Sequence, residues 1–204
     1  MTNEEISLYT KKQFAEALKR AMKKKPFKKI TVSELIQDCK VNRKTFYYHF
    51  EDIYDLLKWM FDQEAVEVLK HFDLLVDYEE AIHFIMDYVE ENDYIINCAY
   101  DSMGREELKR FFYADFMDIV VSLIDGMEKI TGKTLNQDYK NFLSFFYMEA
   151  LAGMLLDWIK EKDKRGRDLV VEYLTVTFQE SLMGILEHRK VPEPVQSLEK
   201  PGLS

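Results

Sequence analysis

Apolar positions along this chain recur mostly at intervals of three and four, the spacing of helices with one buried face. The first stripe is Phe14, Ala17, Leu18, Ala21 and Met22, which predicts a helix over about residues 7–25 that ends before Pro26. Residues 1–6 are expected to fray. Val32, Leu35, Ile36 and Cys39 form a second, shorter stripe. Thr31 stands before it as an N-cap, and Glu34 three residues on completes a capping box. Asn42 is a second N-cap and opens a helix over residues 43–49. Phe46 and Phe50 sit four apart and pin that helix inward, which leaves Arg43, Lys44, Tyr47 and Tyr48 to project from its other side. Two short helices joined by a tight turn, the second with a cationic and phenolic face, suit insertion into a DNA major groove. A helical hairpin with a polar surface is the plainer alternative.

The helical period continues to near the end of the chain. Asp52 is the expected N-cap of a long fourth helix over about residues 53–72, carrying Leu56, Leu57, Met60 and Phe61. Further helices are predicted over residues 79–91, 105–130, 137–162 and 169–186, with a short apolar piece at 94–99. Thr131-Gly132 and Arg165-Gly166 are the breaks. The helix over 137–162 is apolar on more than one face and needs neighbours on two sides. The expected fold class is therefore all-α: a three-helix helix-turn-helix domain at 1–52, a helical body at 53–187 and a disordered tail at 188–204.

Composition agrees, since 204 residues contain only 7 Gly and 4 Pro. Charge adds more. The net −9 conceals +7 on residues 1–50 and −16 on the rest, with nine basic residues between Lys11 and Lys29. A basic module on an acidic body is the electrostatic footprint of a nucleic-acid binder, with the body repelled from phosphate. Lysine runs are often only solvated surface; their adjacency to the helix-turn-helix pattern gives them weight here. Cys39 and Cys98 lack metal-ligand spacing, as do His71, His83 and His188, so neither metal nor cofactor is expected. No P-loop, Rossmann glycine pattern, nucleophile elbow or zinc helix is present, which argues against an enzyme and names no catalytic residue. No leading apolar segment resembles a signal peptide. The window from Phe142 to Leu156, interrupted by Glu149, is too short to span a bilayer, so a cytoplasmic protein without membrane attachment is expected.

Ile30-Thr31-Val32 through Phe50, followed by Asp52-Ile53-Tyr54-Asp55-Leu56-Leu57, resembles the DNA-binding domain of the tetracycline-repressor (TetR) family. Thr45-Phe46-Tyr47-Tyr48-His49-Phe50 matches that family's most diagnostic segment, and the resemblance covers about residues 8–60. The segment from Tyr47 to Leu57 together with Trp59 is also similar to a branch that includes activators of dihydroxyacetone kinase operons. The resemblance implies a homodimer on a palindromic double-stranded DNA operator, with the helix at 43–49 in a major groove. It implies a four-helix dimer seam from the last two helices, and a pocket whose small-molecule effector swings the fourth helix and releases the operator. A repressor is the first expectation. An activator or co-activator whose body binds a protein partner is the alternative, and a helical scaffold without DNA binding is a third reading.

The same resemblance assigns roles. Arg43 and Lys44 approach bases; Thr45, Tyr47 and His49 contact phosphates; Thr31, Asn42, Tyr48, Lys28 and Lys29 complete the DNA-facing set. From the residues themselves, Met86, Tyr94, Cys98, Phe112, Phe116 and Tyr147 are the expected effector-pocket residues, with core packing the commoner role of such a stripe. Ala150 and Gly153, small residues three apart that let a helix come close, are with Leu174 and Phe178 the expected dimer contacts, packing within one subunit being the alternative. Two departures stand out. Lys40 occupies the turn where the family commonly has Gly, and Ile53 stands where a phosphate-gripping Lys is common.

Overall fold

The computed structural model describes residues 2–66, 69, 78–161 and 166–188, and among them are ten α-helices and no strand. The helices are α1 (Asn3–Met22), α2 (Val32–Asp38), α3 (Arg43–His49), α4 (Ile53–Phe61), α5 (Tyr78–Glu91), α6 (Asp93–Met103), α7 (Arg105–Phe111), α8 (Tyr113–Thr131), α9 (Gln137–Glu161) and α10 (Arg167–His188). The tail beyond residue 188, His71 and the expected end of the fourth helix at residue 72 lie outside the described residues.

Three boundaries differ from those the apolar stripes predict. Helix α1 starts at Asn3 rather than near residue 7. The Thr2 hydroxyl accepts the Glu5 N–H at 3.2 Å, and the Glu5 carboxylate accepts the Thr2 N–H at 2.8 Å. That capping box satisfies end groups the stripe does not register. Helix α4 gives way to a π-helical turn at Asp62–Val66. The single helix expected over 105–130 is two, parted at Phe112, whose φ of −100° and ψ of 4° leave the α region. The Phe112 ring lies edge-on to Phe61 at 5.1 Å, so an anchor on α4 holds the bend in place.

The caps of the helix-turn-helix and of α4 form as the sequence predicts. Thr31 caps α2, with Glu34 answering at the Thr31 N–H at 2.9 Å. Asn42 Oδ1 accepts the Thr45 N–H at 2.9 Å to open α3. Asp52 caps α4 through the Asp55 N–H at 2.9 Å. Between α2 and α3 the chain turns at Lys40, with φ 55°. The Val41 N–H reaches the Ile36 carbonyl at 3.0 Å and the Lys40 N–H reaches Gln37 at 3.2 Å, the bond pattern of a Schellman motif. Its left-handed residue is best filled by glycine, because a Cβ there crowds the following carbonyl. Lys40→Gly is therefore expected to raise the unfolding free energy by up to about 1 kcal/mol. Urea titration followed by circular dichroism measures it, and a Gly variant no more stable than the parent contradicts the account.

One apolar cluster runs across residue 52. Phe14, Leu18 and Phe46 of the head share it with Leu57 and Met60 of α4 and with Ile95, Leu108 and Leu156 of the body. A second cluster, built on Val120, Ile124, Leu143, Met148 and Leu182, joins α8, α9 and α10. Helices α9 and α10 each bury one apolar side within the subunit and leave another uncovered. Phe142, Phe145, Phe146, Tyr173 and Val176 are each about half exposed or more. The stretches Gln137–Lys160 and Asp168–Glu187 are long and apolar enough to cross a membrane by length and composition, unlike the shorter window read from sequence. Only 39% and 28% of their most apolar windows are buried, so both helices present an uncovered apolar side.

Candidate nucleic-acid interface

Helix α3 is exposed on one side and anchored on the other. Phe46 is fully buried, edge-on to Phe14 at 5.2 Å, and Phe50 packs beside both. With that side fixed, Arg43, Lys44, Tyr47 and Tyr48 face solvent, Tyr48 at 81% exposure. Arg43 Nη2 donates to the Tyr47 hydroxyl at 3.2 Å, and the guanidinium lies 5.5 Å from the Tyr47 ring centroid. The pair holds the guanidinium beside the ring, which restricts its rotamers. Thr45 is half-buried, and its hydroxyl donates to Asn42 at 3.2 Å.

His49 is half-buried, with Nδ1 3.5 Å from the Ser7 hydroxyl on α1. With Ser7 donating there, Nε2–H is left as a donor for a phosphate oxygen. Burial, and then the charge of Lys11, push the imidazole below its usual range, so it is neutral at pH 7. Its share of stability is present above the unfolded value and is lost as pH falls through the lower folded one.

Two ion pairs brace α2 against α1 and the segment after it. Arg20 Nη2 meets Asp38 at 2.5 Å, and Lys25 pairs with Glu34, whose carboxyl that bond holds below the usual range. The 3₁₀ turn at Phe27–Lys29 buries Phe27 and leaves Lys28 and Lys29 exposed, with Thr31 exposed at the next cap. Tyr54, absent from the sequence-derived set, packs its ring edge-on to Phe27 at 5.0 Å and keeps 42% exposure. The position before it, Ile53, is partly buried against the head's core, which explains an apolar residue there. Tyr54 thus offers a hydroxyl in the first turn of α4 beside the Lys28–Lys29 turn. An aromatic hydroxyl just past an N-cap was the signal available in the sequence.

The head is joined to the body by polar bridges as well as by core. Lys19 of α1 meets Glu64 of the π turn at 2.5 Å, and the Tyr88 hydroxyl of α5 donates to the same carboxylate at 3.1 Å. Burial, and then Glu64, raise the Tyr88 phenol far above its usual range, so it stays a donor. Lys58 of α4 pairs with Asp62 and with Asp115 of α8.

The pocket residues expected from sequence divide. Met86 and Phe116 line a cavity of about 190 Å³, and Phe112 and Phe116 line a neighbouring one of about 80 Å³. Tyr94, Cys98 and Tyr147 line neither. Tyr94 lies under Lys23 at 4.8 Å, and the Cys98 thiol donates to the Lys25 carbonyl at 3.6 Å, so both face the head. Tyr147 packs on Phe178 and shares a 2.7 Å hydrogen bond with Ser181, in the second core. The expected dimer residues divide similarly. Ala150 is exposed. The Gly153 carbonyl accepts from Arg105 of the same subunit at 3.4 Å, and Leu174 and Phe178 line the larger cavity. On α10 the outward apolar side chains are instead Tyr173 and Val176, because α10 turns the Leu174 stripe toward α9 and α5.

A helix-turn-helix head fused to an all-helical body defines the class of the molecule as a transcriptional regulator. Residues 77–180 match the TetR-type family model described as "Transcriptional regulator C-terminal region", and the chain belongs to the TetR family of transcriptional regulators. It is 23% identical over 167 residues to the "HTH-type dhaKLM operon transcriptional activator DhaS" of Lactococcus lactis subsp. lactis (strain IL1403), covering 82% of this chain and 86% of that protein. In fold it is similar to the solved structure titled "Dihydroxyacetone kinase operon activator DhaS", with a TM-score of 0.64 and 20% identity over 88% of this chain and 97% of that one.

Proposed function

We propose that this protein is a homodimer that binds a palindromic DNA operator through α3 and is released from it by a small-molecule effector. The observation that carries the reading is α3 itself. Its buried Phe46 side orients Arg43, Lys44 and Tyr47 outward, on the basic N-terminal part of an acidic chain. In this reading Arg43 and Lys44 read bases, and Thr45, Tyr47, His49 and Tyr54 hold phosphates together with Lys28 and Lys29. Thr31 and Asn42 point helix N-termini at the backbone. The domain limits follow the same division: a reading head at 1–52 and a regulatory body at 53–187.

The uncovered faces of α9 and α10 form the dimer seam. Their aromatic character, at half exposure, is what a subunit core cut in two leaves behind. Phe146→Glu is expected to weaken dimerisation at least tenfold by placing a charge in that seam. Sedimentation equilibrium reads the result, and an undiminished dimer removes this face from the interface. A cavity of about 190 Å³ in the body favours a small-molecule effector over a solid, partner-binding core.

Activation is the second reading of the sign, favoured by the names of both DhaS relatives. Selection from random duplexes tests the proposal. A palindrome should emerge, and a reporter behind it should fall on expression if the protein represses and rise if it activates. Recovery of no palindrome refutes the operator reading.

A further inference from the structure

The larger cavity lies between α5, α8, α9 and α10. Its walls are apolar side chains such as Ile82, Met86, Phe116, Leu151, Trp158 and Leu174, and none of the described residues lining it is ionisable. Two polar side chains reach it, Thr175 and Gln179. Thr175 is only 8% exposed, and its hydroxyl oxygen is buried without a hydrogen-bond partner. A buried unpaired hydroxyl is costly, and a ligand that bonds to it relieves the cost. The smaller cavity shares Leu69, Ile85, Phe116, Ile119 and Leu155 with the larger one and extends to Phe61 and Ala65. The two together make a slot leading from Thr175 toward the π turn after α4.

We propose that this slot takes an uncharged amphiphile with a single hydroxyl or carbonyl head and a slender alkyl tail. The inference deepens the reading of the body as an effector domain and rests on it. The head bonds to the Thr175 hydroxyl and the Gln179 amide, and the tail runs past Phe116 toward Phe61 and Ala65. An ionised head is excluded because the larger cavity offers no counter-charge and desolvation would go uncompensated. The far end of the slot adjoins Glu64, the residue shared by Lys19 of α1 and Tyr88 of α5. A tail seated there bears on the link through which the body holds the reading head.

The chain has two tryptophans, Trp59 beside Phe50 and Trp158 in the cavity wall. In the Trp59→Phe variant, Trp158 is the only indole, and titration with 1-decanol should change its fluorescence saturably. Adding Thr175→Val should weaken decanol binding at least tenfold, whereas Thr175→Ser, which keeps the hydroxyl, should restore it. Decanoate at pH 8 should bind at least tenfold more weakly than decanol. Absence of saturable binding, equal affinity in the Val variant with an unchanged melting temperature, or decanoate binding as tightly as decanol each overturns the inference. The titration contains no DNA. A protein that finds its operator yet fails to bind decanol refutes the ligand class alone, and one that binds decanol yet finds no operator refutes the function proposed above alone.

Discussion

Phe46→Ala should lower the unfolding free energy by about 3–5 kcal/mol, the largest stability effect expected in the head. Phe46 is fully buried, edge-on to Phe14 at 5.2 Å and 5.8 Å from the Phe50 ring. Truncation leaves a cavity enclosed by α1, α3 and the start of α4, which short, capped helices cannot easily close. The damage should spread beyond the head, because the cluster containing Phe46 continues through Leu57 and Met60 to Ile95 and Leu156. Urea unfolding at a fixed protomer concentration measures the effect, and fixing concentration matters because the proposed dimer would contribute to apparent stability. Tyr48→Ala is the control. At 81% exposure it should move stability by no more than about 0.5 kcal/mol. A loss below about 1 kcal/mol in the Phe46 variant would mean that the head does not depend on this ring.

Arg43→Ala should weaken operator binding by about ten- to a hundredfold for each half-site, the range for a lost bidentate contact to guanine of about 1–3 kcal/mol. The side chain is exposed at the start of α3, the end of a reading helix that contacts base edges. Its bond to the Tyr47 hydroxyl and its place beside that ring restrict its rotamers in the absence of DNA. Tyr47→Phe removes the hydroxyl and keeps the ring, so it should cost less affinity than Arg43→Ala. Fluorescence anisotropy on the selected operator, repeated with each half-site guanine replaced in turn, separates base reading from charge. A base reader loses discrimination at one position. If Arg43→Ala weakens every sequence equally, Arg43 touches phosphate and the specificity resides elsewhere on α3.

The head was legible in the sequence because its determinants are local. Thr31 with Glu34, Asn42 with Thr45 and Asp52 with Asp55 are bonds between residues three apart, and each forms as the sequence predicts. At Lys40 the family resemblance marked a place where glycine is common, and the structure decided that the backbone there is left-handed. The body was harder to read. Phe112 looks like one more apolar position in a single helix until α4 supplies Phe61 as its partner. Tyr94 and Cys98 share the composition of a pocket, yet α6 turns them toward Lys23 and Lys25. Nothing within α6 records which of its neighbours lies on which side.

What the sequence alone determined is the all-helical class, the helix-turn-helix at residues 31–50 and the division into a basic head and an acidic body. Period, capping and charge are properties of consecutive residues and survive without a fold. What only the tertiary structure decided is which apolar face does what. It sent Leu174 and Phe178 into a cavity and left Tyr173 and Val176 outside. It set Thr175 facing a void with its hydroxyl unpaired, and it joined Lys19, Glu64 and Tyr88 across three separate elements. The physical reason is that a helix apolar on several sides gives the chain no local preference among them. The rotation of α9 and α10 is fixed by whole-body packing, and with it the separation of cavity-lining from outward apolar side chains.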